Sequence, residues 1–187
     1  MLFRCARWRC VCTLLWAVVC VVSAQSKPQE AVSDLAGQIV DARNTGKMQR
    51  ADELAEQFIT LAQANKNIGL EGQALYQQAR NDMERNLYDA AQSKLIEAIE
   101  CFKHVNDKPW LGEAYRQMGL TYRYQSNYPQ ALQYVYSSMQ IFKQTDDKDA
   151  ISSAYNSIGV VLEKMGYYEE ALEAHQQALE MNTALND

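Results

Sequence analysis

The sequence predicts an all-α fold: a solenoid of four antiparallel helix pairs behind an N-terminal export signal. Three observations carry this. Residue types recur with a fixed period of 40 along the chain. Within each period the apolar residues form two stripes at helical spacing. Gly and Pro, 8 and 3 of 187 residues, are too scarce to punctuate strands, while the helix formers Ala, Gln, Glu and Leu abound. An all-β fold is thereby excluded. A composition 48% hydrophobic and 22% charged also excludes a disordered or collagen-like chain.

The first element is the export signal. Met1 to Arg9 carry three arginines and no acid, Cys10 to Val22 are largely apolar, and Val22-Ser23-Ala24 places small residues before a cleavage point between Ala24 and Gln25. An uncleaved anchor is the alternative, but a bilayer needs roughly 20 apolar residues and this run is shorter. Lipidation at Cys20 is a lesser alternative, because Val19 is not the small residue expected before it. Cleavage removes Cys5, Cys10, Cys12 and Cys20 and leaves Cys101 alone, so the mature chain has no intrachain disulfide and relies on its core. It also changes the charge. The formal net of -5 includes Arg4, Arg7 and Arg9, and without residues 1–24 the chain has 15 basic against 23 acidic side chains, a net of about -8. So acidic a chain is a poor polyanion binder, and no nucleic-acid partner is expected.

After a short linker, 25–30, the repeats occupy 31–187, in units of about 31–68, 69–108, 109–147 and 148–187. The register aligns Ala51, Ala91, Ala131 and Ala171, and likewise Met48, Tyr88, Tyr128 and Tyr168. Ala74, Ala114 and Ala154 coincide, as do Ile59, Ile99, Met139 and Leu179, while Gly119 and Gly159 follow Ile39 and Ala79 at one position. First helices are expected near 31–44, 69–85, 109–125 and 148–165, and second helices near 48–65, 88–105, 128–145 and 168–184.

The breaks between paired helices fall at Thr45-Gly46, Asn86, Ser126-Asn127 and Gly166, residue types suited to caps and left-handed turns. Asn67, Asp107, Asp147 and Asp187 recur at the turns between units, and Pro109 and Pro129 sit near helix starts, where the missing N–H costs little. Small residues at fixed points, Gly159, Ala171 and Ala178 among them, are expected to let helix backbones approach, with Tyr168 filling space beside the turn. On that reading Ala131→Leu overpacks the contact and costs about 1–3 kcal/mol.

The motif Tyr155-x-x-Ile158-Gly159-x-x-Leu162, then Gly166-Tyr167-Tyr168-x-x-Ala171-Leu172 and Ala178-Leu179, resembles a tetratricopeptide repeat. The preceding unit repeats it as Tyr115-x-x-Met118-Gly119-x-x-Tyr122, Tyr128 and Ala131-Leu132. The resemblance covers about 31–187 and implies a right-handed superhelix, although the period exceeds the commonest length of about 34. It is similar to the long-helix arrays outside the membrane in bacterial signalling proteins, which precede a transmembrane helix and a diguanylate cyclase or histidine kinase domain. By that analogy the destination is the periplasm of a Gram-negative bacterium. Asp187 falls where a fifth unit would begin and no polar capping helix follows, so the chain is expected to continue, or a partner to shield Leu162, Leu172 and Leu179. A complete chain that dimerises through this end is the competing reading.

No catalytic constellation is legible. His104 and His175 lie in different units without Cys, His or Asp at metal-ligand spacing, and adjacent acids such as Glu169-Glu170 are normally solvated. There is no phosphate loop, nucleophile elbow or dinucleotide fingerprint. Cys101, beside Leu95, Ala98, Ile99 and Phe102, is expected to be a buried core cysteine. The expectation is a non-enzymatic binding module with no cofactor and no metal.

In the resembling family the first helices line a concave groove. Register places Tyr76, Arg80 and Met83 of the second unit there, with Arg116, Leu120, Arg123 and Tyr124 of the third and Asn156 and Val160 of the fourth. Three arginines among aromatics suit a protein or peptide partner with an acidic group, because guanidinium forks bind carboxylates and stack on rings. Alternatively these arginines pair with Glu84, Glu113 and Glu163 on neighbouring turns. The pattern also departs from the Lys/Asn clamp that some family members apply to carboxy-terminal peptides. The second functional class is a structural solenoid that forms a homodimer and needs no groove ligand.

Overall fold

The structure, a computed structural model, describes residues 32–186. The export signal with its cleavage point at Ala24 and Gln25, the linker and Asp187 lie outside the described residues. The described chain is helical, without strands: α1 over 32–44, α2 Met48–Ala64, α3 Ile68–Glu84, α4 Tyr88–Val105, α5 Lys108–Tyr124, α6 Tyr128–Thr145, α7 Lys148–Met165 and α8 Tyr168–Asn186. Described helix ends fall within a residue of the register's expectation, except that α8 runs two residues further.

The turns explain this regularity. Gly46, Lys66, Asn86, Asn106, Ser126, Asp146 and Gly166, each 20 residues from the next, have left-handed backbone with φ between 51° and 85°. At each turn the following N–H reaches back to a carbonyl in the last helical turn, as in Leu87 N to Asp82 O, 2.9 Å, and Asp107 N to Phe102 O, 2.9 Å. The two kinds of turn differ in what comes next. The first helices α3, α5 and α7 start with a side-chain cap: Asn67, Asp107 and Asp147 accept from the N–H groups of Leu70, Trp110 and Ala150. Second helices α2, α4 and α6 start at Lys47, Leu87 and Asn127 with no side-chain cap.

Each helix packs on its neighbours in sequence, most extensively within the pairs α3/α4, α5/α6 and α7/α8, while first helices of successive pairs barely touch. The core follows the same one-dimensional plan. One buried cluster joins α1 to α3, a second α3 to α5, and a third α6 to α8. Ala51, Ala91, Ala131, Ala74, Ala114 and Ala154 are wholly buried, as the register requires.

Within pairs, two register positions trade volume. At one, Gly72 faces Phe102 and Gly112 faces Phe142; the first unit has Val32 and Ala62 in these places, both buried, and the last has Ser152 and Asn182, joined by a 2.7 Å hydrogen bond. At the other, the facing positions hold Ile39 and Ala55, Ala79 and Leu95, Gly119 and Val135, and Gly159 and His175. A large residue on one helix is matched by a small one opposite, which conserves volume at a close-packed contact.

At Gly159 the three atoms nearest to an added Cβ belong to the His175 imidazole, whereas at Gly119 they include backbone, Ala131 O and Val135 N. Two expectations are corrected. Tyr168 is exposed instead of filling the turn, because no helix lies on its far side among the described residues. Cys101 is half-buried, packed against the α3–α5 cluster from its edge and not within it.

Candidate binding groove

A cavity of about 370 Å³ lies between α3 and α5, within the size range of small ligand sites. Arg80, Met83, Glu84 and Asn86 line it from α3 and its turn, Tyr88 from the start of α4, and Arg116, Gln117, Leu120 and Tyr124 from α5. Five of these nine residues belong to the register-based set. Tyr76 and Arg123 stand beside the cavity, while Asn156 and Val160, on α7, lie outside it.

Each wall residue has a definite task. Tyr76, only 2% exposed, packs edge-on against Trp110 at 5.3 Å and donates its hydroxyl to Glu113 Oε1 at 2.7 Å. Burial, then the Glu113 charge, pushes its phenol well above the usual range, so Tyr76 stays a neutral donor. Glu113 also holds Arg116, which donates from Nε at 2.8 Å, and this partnership raises the Arg116 pKa. Arg116 thus matches the local ion-pair reading. Arg80 does not, having no hydrogen-bond or ion-pair partner among the described residues, and neither Glu84 nor Glu163 pairs with an arginine. Met83 is oriented by Gln117 and Thr121, whose Nε2 and Oγ1 donate to its sulfur at 3.0 and 3.2 Å.

The rim is aromatic. Tyr124, 55% exposed, stacks on Tyr88 with centroids 5.8 Å apart and planes at 11°. The Arg123 guanidinium lies 4.8 Å from the Tyr124 centroid, and its Nε is buried without a partner. Asn156, on α7, accepts from His175 Nδ1 at 2.9 Å.

Sequence reasoning missed Arg43 of α1. It is 6% exposed; its Nε donates to Asn81 at 3.1 Å and its Nη2 to Gln77 at 2.7 Å, while Nη1 is buried without a partner. Burial first, then Arg80, pushes its pKa down to about 10, against the opposing pull of Tyr76 and Glu84. Arg43 is therefore a costly charge within electrostatic reach of the cavity wall. The signal was present, since Arg43, Met83 and Arg123 are 40 apart. Gln117 was visible in the same way, 40 from Gln77, but Tyr88 was not, because its stack on Tyr124 crosses from one pair to the next.

Among the described residues no group of three or more His, Cys, Asp or Glu is placed to hold a metal ion, and no helix is long and apolar enough to cross a membrane.

The comparisons with known proteins agree with the fold. BtubC from P. vanneervenii superposes with a TM-score of 0.72 at 16% identity, over 85% of this chain and 66% of its own. Aspartyl phosphate phosphatase F from Bacillus subtilis gives 0.77 at 18%, over 84% of this chain and 42% of its own. The apo form of RapI gives 0.74 at 15%, over 93% and 66%. The chain thus spans less than half of the phosphatase and about two thirds of the other two, and at these identities the likeness is one of fold. No match is found among curated proteins. A family model for the tetratricopeptide repeat matches residues 69–144 and, in a second overlapping placement, 111–184, more than half of the chain. With its helix pairs, its turns and its Gly and Ala positions all in that pattern, the chain belongs to the tetratricopeptide repeat family.

Proposed function

We propose that the protein is an exported interaction module whose α3/α5 groove receives an extended segment of a partner protein or peptide. In this reading residues 1–24 direct export to the periplasm of a Gram-negative bacterium, and the repeats serve as the partner-sensing region of a signalling receptor. Its chemistry is recognition, not turnover. The observation that carries the reading is the cavity itself. Polar and apolar groups converge there between first helices, and Arg80 offers a guanidinium with no partner among the described residues. Binding there would involve Arg80, Met83, Arg116, Leu120 and Tyr124 directly, with Tyr76 and Arg123 supporting the walls. Asn156 and Val160 would extend the path along α7.

The test is selection of a displayed random dodecapeptide library on the purified chain, followed by counter-screening on an Arg80→Ala/Arg116→Ala/Arg123→Ala variant. Enriched peptides that lose binding to the variant support the groove. An empty selection, or peptides that bind both proteins equally, removes it.

A second reading is a structural solenoid that self-associates through α8. It is favoured by the exposure of Tyr168, Leu172 and Leu179 on that helix. Solution mass measured against concentration separates the two readings, since groove binding requires no self-association.

A further inference from the structure

The backbones of α7 and α8 pack about as extensively as those of α3/α4 and α5/α6, yet the side chains between them differ in kind. Three register positions hold Leu95, Ile99 and Phe102 in α4 and Val135, Met139 and Phe142 in α6, none more than 5% exposed. In α8 the same positions hold His175, Leu179 and Asn182. Leu179 is largely exposed, and the residues that α8 buries are Ala171, Ala174 and Ala178. The first pair also has small residues on its second helix, Ala55 and Ala62, but there Ile39 and Val32 of α1 supply the volume. In the last pair neither side supplies a large apolar residue: His175 lies on Gly159, and Asn182 on Ser152. Hydrogen bonds stand in for the apolar contact. The Ser152 hydroxyl reaches Asn182 Oδ1 at 2.7 Å and Ala178 O at 2.9 Å, and His175 Nδ1 lies 2.9 Å from Asn156 Oδ1. When a helix lifts away, water replaces bonds of this kind at little net cost, whereas it cannot replace the burial of a leucine or phenylalanine. The apolar cluster that joins α6 to α8 follows suit: Ala174 is the one residue of α8 among its buried members, with Met181 partly buried against it.

We propose that α8 is a latch that opens from α7 as one unit while the helices before it stay folded. Opening gives up three buried alanines and a few hydrogen bonds, and it leaves the rest of the cluster on α6 and α7 in place, Val135, Phe142, Ile151 and Ile158 among it. In a solenoid each element is held by its neighbours alone, so a weak contact at one boundary lets that element open without the others. The outer face makes the latch responsive. A partner that grips Tyr168, Leu172 and Leu179, each more than half exposed, needs α8 in place, so its binding and the closure of the latch stabilise each other. In the closed state His175 also holds the Asn156 amide on the surface of α7.

Amide hydrogen exchange of the full chain, read residue by residue by NMR at neutral pH, is the experiment. The amides of Ala171, Ala174 and Ala178 are expected to share one opening and to be at least about 100-fold less protected than those of Ala131, Val135 and Met139 in α6. His175→Val, which copies the contact of Val135 with Gly119 onto Gly159, should raise the α8 protection at least about tenfold and leave α6 unchanged. Asn156→Ala, at an exposed site where the fold is not at stake, should lower the α8 protection several-fold. Leu172→Gln with Leu179→Gln should leave it unchanged in dilute protein, because those side chains do not face α7; a drop there would show that the leucines and not the His175 contact hold the helix, and would overturn the latch. Protection that declines stepwise along α8 toward its C-terminal end is fraying and also overturns it, as does protection equal to that of α6, or values that neither His175→Val nor Asn156→Ala moves.

Discussion

Phe142 lies so close to the α-carbon of Gly112 that a Cβ at that glycine would stand 2.5 Å from Phe142 Cε1. The same relation joins Gly72 to Phe102, at 2.8 Å, and it is inverted in the first unit, where the corresponding residues are Val32 and Ala62. The helix pair thus tolerates either partition of the volume but not two large residues. Gly112→Ala alone should destabilise by about 1–3 kcal/mol through overpacking. Phe142→Ala alone should cost about 3–5 kcal/mol through the cavity left behind. Gly112→Val with Phe142→Ala should be less damaging than the sum of its single changes by at least about 1 kcal/mol. Urea unfolding of the four proteins completes the cycle, and simple additivity would refute the compensation.

Gly119 and Gly159 occupy the same place in successive units and should respond differently to a methyl group. At Gly119 a Cβ meets Val135 Cγ2 at 2.6 Å and backbone atoms of α6, namely Ala131 O at 3.1 Å and Val135 N at 3.3 Å. Those backbone atoms cannot swing aside. At Gly159 the three nearest atoms all belong to the His175 ring, which can turn toward solvent once its bond to Asn156 breaks. Gly119→Ala should therefore cost about 1–3 kcal/mol and Gly159→Ala under about 1 kcal/mol. The His175 ring resonances should move only in the second variant.

From α2 to α7, side-chain capping is confined to the first helix of a pair. Asp147 Oδ1 accepts from Ala150 N at 2.9 Å, whereas Asn127, at the start of the next second helix upstream, makes no such bond. Asp147→Ala should cost about 1 kcal/mol and Asn127→Ala only a few tenths. Thermal unfolding monitored by circular dichroism distinguishes them, and equal shifts would contradict the asymmetry.

Burial first, and then the carboxylates of Glu71 and Glu97, push the Cys101 thiol up. A raised thiol pKa means less thiolate at any pH below it, so the reactive form is scarcer than in a free cysteine. Alkylation of Cys101 by iodoacetamide should be slower than that of a model thiol at pH 8. Its rate should continue to rise with pH after the model thiol has levelled off. A pH profile that levels off first in the protein would show that these charges do not govern the site. The same assay reads processing, since a chain cleaved after Ala24 has one thiol where the uncleaved chain has five.

Almost all of the helix map was legible because one physical unit, a helix of fixed length closed by a left-handed residue, is repeated every 20 residues. The register then transfers each boundary to the next. The groove was legible in part. Spacing on α3 and α5 placed Arg80, Met83, Arg116, Leu120 and Tyr124 on one face, and three-residue spacing foretold the pairing of Arg116 with Glu113. What spacing could not give depends on neighbours 30 residues or more away. Tyr76 has the helical position of a groove residue, but Glu113 and Trp110 draw it into the wall. Arg43 reads as a surface cation until Asn81 and Gln77 are seen to receive it. Which member of each pair is the large one was also open, because local pattern constrains the sum of two facing volumes and not their division.

The α8 surface carries the last prediction. Leu179 stands at the register position of Ile99 and Met139, each 5% exposed beneath the following first helix, yet it is 63% exposed, and Leu172 is 59% exposed. Fully burying a leucine side chain is worth about 1.5–3 kcal/mol, so covering both would offset a substantial part of the cost of association. If a second copy of the chain is what covers this face, solution mass should rise with concentration in the micromolar range and above. Leu172→Gln with Leu179→Gln should then abolish that rise. The melting temperature of the dilute protein should stay the same, since side chains already exposed contribute little to the monomer. A wild-type protein that remains monomeric up to about millimolar concentration would exclude a second copy as the cover, because even a weak interface of this size reaches that affinity.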